Sequence, residues 1–588
     1  MCGIAGQVGG DAAAGPMIDA LKHRGPDGVR VEQLPGAALA HARLSIIDLE
    51  CGWQPLHASG GTVIGNGEIY NYVELVRDHG LDPATGSDFE PLLHLYAREG
   101  EAAFDRLRGM YALCLIGPDG RAFLARDPFG IKPLYIMEHA GGLAFASEPR
   151  AFFAAGMMRP ELDETAAREL LGFNYTVGER TPFRGLRRLA PGEILEVRDG
   201  RIVSGRRRRW NAPLLPRATG EVAAKPTEGT SAHSAASRSP TPARAGEERD
   251  LIAQLDAVLE DSVRVHQRSD VPYGLFLSGG IDSAAIATLM RRLAERPVTA
   301  FTCGFDSEGA ADERSQAEAV ARALDLDWRE TRFGEEDFWR ILPQVAWALD
   351  DPTADYATLP TYKLAEAARG TLTVVLTGEG GDELFAGYGR YRRALRPAWL
   401  GGRPAEPRGA DQEALAAWRA AAKAPPGLSP LQQAQWADIA TWLPNDLLLK
   451  LDRCLMAHGL EGRTPFLDPE VARFAWSLPD GVKVRGGFGK WLLRRWLERA
   501  CPAARPWARK QGFTVPVDAW IAPRAADLAA RIGQVEAVRR LAPDAATVMR
   551  DGEGARRWPL LFFALWALIH LEGASPEDAL VSLLGAPA

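Results

Sequence analysis

The pattern of the sequence changes sharply near residue 210, and this change divides the chain into parts with different folds. Up to Trp210, short alternating runs such as GTVIGNGEIYNY and MYALCLIG are separated by Gly and Pro, which predicts an antiparallel, largely β structure with helices such as DFEPLLHLYAREG. Residues 211–248 are rich in Pro, Ala, Ser and Thr and almost lack large apolar side chains. Such a segment cannot bury enough surface to offset its ordering entropy, so we predict a flexible linker there.

Residues 249–588 show a different pattern, in which apolar strands alternate with amphipathic helices. The runs YGLFL, VTAFTCGF and LTVVLTG are predicted strands with helices between them, which indicates a parallel, doubly wound sheet. From about Tyr388 onwards the pattern is mainly helical. The most apolar stretch, WPLLFFALWALIHL, is too short to span a bilayer and predicts a buried helix.

Composition and charge exclude several classes of protein. The net charge of −7 argues against a nucleic-acid-binding protein, because phosphate binding needs a clustered basic surface. The one dense basic run, the four arginines at 206–209, is predicted to be a solvated strand end or linker. The six cysteines form no CxxC pair, and no secretory signal begins the chain. We therefore expect a cytoplasmic protein with neither nucleic-acid nor membrane partners.

A glycine-rich loop, SGGIDS, lies between a predicted buried strand and a predicted helix. Backbone N–H groups and hydroxyls there could face a polyphosphate, and the helix dipole would favour its negative charge. The residues concerned are Ser278, Gly279, Gly280, Asp282 and Ser283. No Walker A lysine follows them. An ordinary strand-to-helix turn is the alternative interpretation.

A second loop, TGEGGDELFAGY, also follows a predicted buried strand and concentrates acidic residues among glycines. The carboxyl ends of neighbouring parallel strands face one crevice, so Asp282 and Asp382 could together hold Mg²⁺ on the phosphates. The alternative is a solvated acidic turn. Lys490, at a predicted helix start in RGGFGKWLLRRW, suits a cation aimed at developing negative charge, although lysines at such positions are commonly only solvated.

Cys2 could act as a nucleophile if Met1 is removed. The freed α-amine, with an ordinary pKa of about 7.7–8.0, would then lie beside a thiol of pKa about 8.5. Amine and thiol on one residue provide a base and a nucleophile together. A chance cysteine at this position is the alternative interpretation.

The ordered motifs resemble one known family. MCGIAG, HRGPDG, HARLSIIDL, NGEIYNY, TGSDFE and RDPFGIKPLY resemble the class II, N-terminal-nucleophile glutamine amidotransferase domain. SGGIDS, TGEGGDELFAGY, RTPFLD, GFGKWLLR and RKQGFTVP resemble the synthetase domain of glutamine-hydrolysing asparagine synthetases. The resemblance implies an α+β glutaminase in residues 1–210, an antiparallel β-sandwich flanked by helices. It also implies an α/β doubly wound parallel-sheet synthetase of the ATP-pyrophosphatase type, with a helical C-terminal part, in residues 249–588.

The resemblance also assigns roles in the first half. Cys2 would attack the carboxamide of glutamine and form a thioester, with its own α-amine moving the proton. Arg43 and Asp88 would clamp the α-carboxylate and α-ammonium of glutamine, and Asn66 and Gly67 would form the oxyanion hole. The expected glutamine-binding set is Arg43, Leu44, Ser45, Ile46, Ile47, Asn66, Gly67, Glu68 and Asp88.

In the second half the resemblance implies ATP as a substrate and Mg²⁺ held by Asp282 and Asp382. Glu379 matches the acid needed to form and aminolyse an acyl-adenylate, and Lys490 matches the lysine that stabilises charge in that step. The expected ATP-binding set is Leu277, Ser278, Gly279, Gly280, Asp282, Ser283, Cys303, Thr377 and Gly378.

The implied reaction converts aspartate, ATP and glutamine into asparagine, AMP, pyrophosphate and glutamate, with ammonia passing between the sites. Departures from the family pattern at Gly459, Gly462 and Thr464 adjoin the expected acceptor region. Another acceptor carboxylate, on a secondary metabolite or a cell-surface sugar, therefore remains open. A β-lactam or lasso-peptide cyclase is opposed by the intact glutaminase motifs, and a non-catalytic regulator by the presence of Cys2 and Glu379. A homodimer is expected from the family alone.

Overall fold

The computed structural model describes residues 2–10, 14–211, 245–305, 313–402, 406–407, 410–509, 515–552 and 554–585. Most of the predicted linker, 211–248, lies outside the described residues, but its last four residues already belong to a helix that begins at Ala245, so the predicted C-terminal boundary of the linker is wrong. Within the described ranges, no helix combines the length and the apolar character needed to cross a membrane.

The N-terminal half is built from two antiparallel sheets. One has the strand order β10-β8-β9-β1-β3-β2 and the other the order β12-β11-β7-β6-β5-β4. The strands are β1 (Gly3–Val8), β2 (Gly28–Leu34), β3 (Ala37–Arg43), β4 (Leu56–Ala58), β5 (Gly61–Ile69), β6 (Gly109–Ile116), β7 (Ala122–Arg126), β8 (Tyr135–His139), β9 (Gly142–Ala146), β10 (Arg187–Arg188), β11 (Glu193–Arg198) and β12 (Arg201–Arg207).

Apolar side chains from both sheets meet in one core, which makes this half a β-sandwich. Ile4, Leu39 and Phe145 of the first sheet pack with Ile64 and Leu124 of the second, and all are fully buried. Alternation along the strands predicted an antiparallel, largely β structure, and the resemblance implied a sandwich; both expectations are confirmed. The flanking helices are α1 (Ala14–Asp19), α2 (Tyr72–His79), α3 (Glu90–Glu99), α4 (Arg150–Ala154) and α5 (Glu164–Phe173).

The C-terminal half contains a parallel sheet with the strand order β15-β14-β13-β16-β17. Its strands are β13 (Tyr273–Phe276), β14 (Thr299–Phe305), β15 (Asp327–Phe333), β16 (Val374–Leu376) and β17 (Glu461–Arg463). The order reverses direction between β13 and β16. Ligands of doubly wound sheets bind at such a switch point, beyond the carboxyl ends of the strands. The loops SGGIDS and TGEGGDELFAGY follow these two strands, so the predicted doubly wound sheet is confirmed with both loops at the expected place.

Helices cover this sheet and form most of the remaining chain. They are α6 (Ala245–His266), α7 (Ile281–Leu293), α8 (Arg314–Ala323), α9 (Glu335–Ala348), α10 (Thr358–Ala368), α11 (Gly381–Phe385), α12 (Gly389–Ala394), α13 (Gln412–Ala421), α14 (Pro430–Ala440), α15 (Leu448–Met456), α16 (Pro469–Ser477), α17 (Asp480–Lys483), α18 (Trp491–Ala500), α19 (Val517–Ile521), α20 (Ala525–Ile532), α21 (Glu536–Leu541), α22 (Ala545–Asp551), α23 (Gly554–His570) and α24 (Pro576–Leu584). The apolar stretch WPLLFFALWALIHL lies within α23 except for its last residue, Leu571, and most of its side chains are buried as predicted.

The arginine run at 206–209 only partly matches its prediction. Arg206 and Arg207 end strand β12, and Arg209 is exposed. Arg208 instead is buried and donates hydrogen bonds to the carbonyls of Phe104 (3.0 Å) and Leu107 (2.9 Å). A solvated role for Arg208 is therefore wrong, because its guanidinium satisfies carbonyl groups that the 3₁₀ segment before β6 leaves open.

Candidate functional site

Cys2 lies directly before β1 and faces Asn66 of the opposite sheet. The Cys2 backbone N–H donates to Asn66 Oδ1 at 3.1 Å, and Cys2 Sγ lies 3.8 Å from the carbonyl oxygen of Leu44. Asn66 Nδ2 is buried and has no hydrogen-bond partner among the described residues. An unused buried donor beside a thiol suits an oxyanion that forms during attack by sulfur.

The backbone at Gly67 keeps this pocket open. Gly67 has a φ of +134°, and a Cβ atom there would lie 2.0 Å from the carbonyl oxygen of Met110. Only glycine therefore lets β5 pass β6 with its backbone beside Asn66. Burial also raises the pKa of the Cys2 thiol, so the sulfur is neutral at physiological pH and needs a base before it can attack.

Arg43 ends β3 and is held in a fixed orientation. Its guanidinium donates to the carbonyl oxygens of Leu49 (3.1 Å) and Asp48 (2.5 Å), and its Cζ atom lies 4.8 Å from the ring centroid of Trp53. Trp53 was given no role from the sequence. The structure places its indole on the arginine that is expected to recognise a carboxylate, a stacked arrangement that pre-orients the guanidinium.

Asp88 lies on the other side of the same pocket. Its Oδ2 atom accepts a 2.6 Å hydrogen bond from the Ile69 N–H. Burial raises the pKa of Asp88 to about 7, although the Ile69 N–H opposes this rise. Leu44 and Ile46, in the loop after β3, are buried, and the Ser45 N–H donates to Asp27 at 2.7 Å.

Glu68 faces the other half of the chain. Its Oε1 atom lies 3.4 Å from Arg463 Nη2, and burial raises the pKa of Glu68 well above its usual range. The neighbouring segment 458–464 was expected to adjoin the acceptor region. It includes β17 and lies against the N-terminal half, where a Cβ on Gly459 would be 3.5 Å from Pro26.

The residues of the SGGIDS loop, which follows β13, are hydrogen-bonded to one another. Ser278 and Ser283 are joined by their hydroxyl groups at 3.0 Å, and the Gly280 N–H donates to Ser278 Oγ at 3.1 Å. The loop borders a cavity of about 250 Å³ whose opposite wall carries cationic side chains. These are Lys490, Arg494, Arg505 and Arg509. A glycine loop at a helix start facing several cations suits a polyphosphate.

Lys490 connects the two predicted loops. Its Nζ atom contacts Asp282 Oδ2 and lies 2.6 Å from Asp382 Oδ1, and its side chain is 3% exposed. Gly387 permits this approach, because a Cβ there would lie 1.7 Å from Asp382 Oδ1. The helix-start lysine is thus buried between two carboxylates, so the solvated alternative for Lys490 is wrong.

Asp282 and Asp382 fit a magnesium ion that also binds phosphate. Their carboxylates converge on one point beside the SGGIDS loop. Mg²⁺ in proteins is typically bound by one or two carboxylates together with substrate phosphates. Within the described residues, no cluster of three or more His, Cys, Asp or Glu side chains could hold a metal by itself.

Glu379 lies between this cavity and a second set of charges. Burial raises its pKa, which Lys450 opposes and Asp355 reinforces. Lys450 Nζ pairs with Asp355 Oδ2 at 2.8 Å. Leu277, Thr377 and Gly378 follow strands β13 and β16, and Cys303 lies within β14, and none of the four lines the 250 Å³ cavity.

Several residues of this site were missed by the sequence analysis. Arg505, Lys450 and Asp355 belong to none of the quoted motifs and are brought in only by the fold, whereas Arg494 ends the motif GFGKWLLR but was given no role. The repeated arginine in GFGKWLLRRW was the one available signal, and of the two arginines only Arg494 faces the cavity.

A buried ionic network connects the two centres. Arg24 donates from Nε to the Cys2 carbonyl oxygen at 3.2 Å and from Nη1 to Asp452 Oδ2 at 2.8 Å, across 428 positions of sequence. Arg453 Nη1 lies 2.9 Å from Glu148 Oε1, which Arg24 also contacts at 2.7 Å. Burial opposes ionisation of Asp452, but Arg24 and Lys132 hold its pKa below the usual range. The network joins Cys2 to α15, the helix that carries Lys450.

We expect Asp452→Asn to lower the free energy of unfolding by about 3–5 kcal/mol, because it removes one of the two carboxylates that pair with the buried Arg24. Denaturant unfolding followed by tryptophan fluorescence measures this loss. Glu366→Gln is the matched control, since its partner Arg340 is 49% exposed and such pairs contribute less than about 1 kcal/mol. Equal losses in both variants would contradict a special role for the buried network.

Comparisons with known proteins agree with this geometry. Residues 254–567 match the asparagine synthase family model, and residues 1–210 match the glutamine amidotransferase domain model. A provisionally named glutamine-hydrolysing asparagine synthetase of Mycobacterium tuberculosis is 34% identical, over 97% of this chain and 96% of that protein. Glutamine-hydrolysing asparagine synthetase 1 of Bacillus subtilis is 31% identical, over 95% and 93% respectively. Asparagine synthetase B of Escherichia coli is 27% identical, over 85% and 78%.

Proposed function

The chain belongs to the family of glutamine-hydrolysing asparagine synthetases, and on that premise we propose that it releases ammonia from glutamine at Cys2 and uses it to convert aspartate into asparagine. As a member of this family the enzyme uses ATP. Residues 1–210 would act as the glutaminase and residues 249–588 as the synthetase, joined by the linker at 211–248.

Two chemically different centres in one chain support this function. Cys2 and Asn66 form a nucleophile and an oxyanion donor, while Asp282, Asp382 and Lys490 converge beside a phosphate-type loop. The presence of the second centre is not accounted for by glutaminase activity alone, because a glutaminase needs no polyphosphate site. An ATP-dependent amidation needs both an ammonia source and a phosphate site.

At the first centre, Cys2 would act once removal of Met1 frees its α-amine. The amine takes the thiol proton, sulfur bonds to the carboxamide carbon, and the developing oxyanion accepts hydrogen bonds from Asn66 Nδ2 and the Gly67 backbone. The amine then returns the proton to the departing nitrogen, so ammonia leaves and a thioester remains. Water hydrolyses the thioester to glutamate. Arg43 and Asp88 hold the two charged groups of glutamine meanwhile.

At the second centre, the aspartate side-chain carboxylate attacks the α-phosphorus of ATP and pyrophosphate departs. The SGGIDS loop and the cationic wall of Lys490 and Arg494 hold the leaving pyrophosphate. Mg²⁺ bound by Asp282 and Asp382 would supply charge neutralisation at the phosphates. Ammonia then attacks the acyl carbon of the adenylate, AMP leaves, and Glu379, whose pKa is raised by burial, accepts the proton from nitrogen.

The direct test combines purified protein with aspartate, glutamine, ATP and Mg²⁺. We expect asparagine, AMP, pyrophosphate and glutamate in equal amounts, because each amidation consumes one ammonia and one ATP. Ammonium chloride in place of glutamine should support the same synthesis without glutamate. Absence of both asparagine and pyrophosphate with either nitrogen source would overturn the proposal for aspartate.

The pKa of Asp88 predicts a pH dependence of glutamine binding. Burial raises this pKa to about 7, and only the carboxylate form can pair with the α-ammonium of glutamine. The KM for glutamine should therefore rise as the pH falls below 7, by up to about tenfold per pH unit. Steady-state glutaminase assays between pH 5.5 and 8.5, roughly one unit or more on each side of that pKa, would measure this.

Asp88→Asn provides the contrast for this pH profile. The amide cannot ionise, so its KM should be high at every pH and nearly constant. The KM for aspartate in the ammonia-dependent reaction serves as the control, since that site does not contain Asp88. A wild-type KM for glutamine that stays flat between pH 5.5 and 8.5 would contradict the role of Asp88.

A further inference from the structure

A second, larger cavity is bordered by residues of α5, α12, α13 and α14. It has a volume of about 720 Å³, nearly three times the 250 Å³ of the phosphate cavity. Volumes of this size are typical of sites for drug-sized ligands. Aspartate is much smaller than such ligands, and none of the residues expected from the sequence lines this space.

Asp355 connects the larger cavity with the charged residues around Glu379. Asp355 lines the cavity and pairs with Lys450 at 2.8 Å. The charges of both groups act on the carboxyl of Glu379. The Asp355–Lys450 pair therefore borders the cavity and also acts electrostatically on Glu379.

Tyr388 connects Trp442, in the wall of the cavity, with the TGEGGDELFAGY loop. Tyr388 donates its hydroxyl hydrogen to Glu383 Oε1 at 2.7 Å, and Glu383 follows Asp382 in α11. The Tyr388 ring packs on Trp442, with 5.1 Å between the ring centroids, and Trp442 lines the cavity. The cavity and the adenylation centre thus share one continuous set of contacts.

Arg390 provides an anchor for a negative group. Its Cζ atom lies 4.3 Å from the ring centroids of both Tyr388 and Trp442, and its Nε donates to Asp438 at 2.8 Å. Its Nη2 atom is buried and has no hydrogen-bond partner among the described residues, although Arg390 lines the cavity. A guanidinium held this firmly, with a spare donor, suits a carboxylate or a phosphate oxygen.

Aromatic rings supply part of the remaining surface, which also carries Arg393 and the carboxylates of Glu406, Asp438 and Asp446. Tyr175 and Trp418 are largely buried, with exposures of 6% each, and line the cavity with Trp442. Flat rings of this kind favour ligands with a planar or apolar body. Aspartate has no such body, so the rings are unused when aspartate is the acceptor.

We propose, on the basis of the proposed amidation reaction, that the enzyme also amidates carboxylic acids larger than aspartate that bear a ring and a second anionic group. The ring lies against Trp418 and Trp442, and the second anion pairs with Arg390. The reacting carboxylate bonds to the α-phosphorus of ATP as the bond from that phosphorus to pyrophosphate breaks. Ammonia then forms the C–N bond, the acyl C–O bond to AMP breaks with its electron pair going to AMP, and nitrogen loses a proton.

Pyrophosphate release with ammonium chloride as the nitrogen source tests this inference. The probes are benzylsuccinate, which has a ring and two carboxylates, phenylacetate, which lacks the second anion, and aspartate. We expect benzylsuccinate to be amidated with a kcat/KM at least about tenfold above that of phenylacetate, since a charge-assisted pair is worth that factor. Mass spectrometry of the product should show the amide.

Two variants and a control test whether amidation of benzylsuccinate depends on the cavity. Arg390→Met should lower the ratio of kcat/KM for benzylsuccinate to that for aspartate by at least about tenfold, because the second anion loses its partner. Arg396→Met, in the same segment but exposed and outside the cavity, should leave this ratio unchanged. Trp442→Phe, a milder change than removal of the ring, should lower the ratio as well and covers the case in which the Arg390 variant fails to fold.

The outcomes separate this inference from the proposed function. Asparagine synthesis without pyrophosphate release on benzylsuccinate would overturn the inference and leave the proposed function intact. Amidation of benzylsuccinate without any reaction on aspartate would support the inference and overturn aspartate as the acceptor. Equal losses on both acids in Arg390→Met would overturn the assignment of Arg390 to the second anion.

Discussion

Replacing Cys2 by alanine is expected to abolish asparagine synthesis from glutamine while synthesis from ammonia continues. The variant lacks the sulfur that must bond to the carboxamide carbon, and removal of a covalent nucleophile lowers kcat by at least about a thousandfold. The second centre keeps Asp282, Asp382 and Lys490, none of which contacts Cys2. Asparagine formation should be measured with glutamine and with ammonium chloride in parallel.

Cys51→Ala is the matched control for this prediction. Cys51 is a free, exposed cysteine in the same half of the chain, so its loss should change neither reaction. Glutamate release from glutamine by the Cys2 variant would show that another group is the nucleophile. Loss of the ammonia-dependent reaction as well would show that Cys2 has a structural role instead.

Replacing Lys490 by methionine is expected to lower kcat for asparagine synthesis by about 10²–10³-fold with either nitrogen source. Lys490 is the buried cation that contacts both Asp282 and Asp382, and a preorganised charge at a reacting phosphate contributes an effect of this size. Hydrolysis of glutamine without ATP should persist, because Cys2 lies in the other half. Pyrophosphate release and glutamate release, assayed separately, distinguish the two activities.

Arg495→Ala controls for damage to helix α18. Arg495 lies five positions along from Lys490, is partly exposed, and pairs with Glu248 and Glu498 rather than with the phosphate cavity. Its loss should change kcat little. A similar fall in both variants would mean that the helix as a whole, and not the Lys490 ammonium, sustains synthesis.

The fold was predictable from the sequence where local patterns carry the information. Alternation in GTVIGNGEIYNY and MYALCLIG predicted strands β5 and β6, and the run YGLFL before SGGIDS predicted β13 and its loop. The glycines and acids of the two loops also suggested their meeting, because parallel strands end at one edge of the sheet. Each of these inferences needs only residues that are close together along the chain.

The rest of the site depends on contacts between distant residues. Lys490 gave a weak signal because nothing near it in the sequence shows that it lies between carboxylates at positions 282 and 382. Arg505 and Asp355 lie in segments with no motif, and Arg208 seemed solvated because its carbonyl partners are about a hundred positions away, at separations of 104 and 101. Only the folded chain brings these groups together.

The charges buried between the two halves also limit how such a protein can be recombined. Arg24 and Glu148 come from the first half, whereas Asp452 and Arg453 come from the second, and the pairs Arg24–Asp452 and Arg453–Glu148 cross the junction. A chimaera that combines this glutaminase with a relative's synthetase would leave buried charges unmatched unless those positions were exchanged as a set. A substitution at position 24 is therefore expected to require a compensating substitution at position 452, so the two halves are expected to change together in evolution.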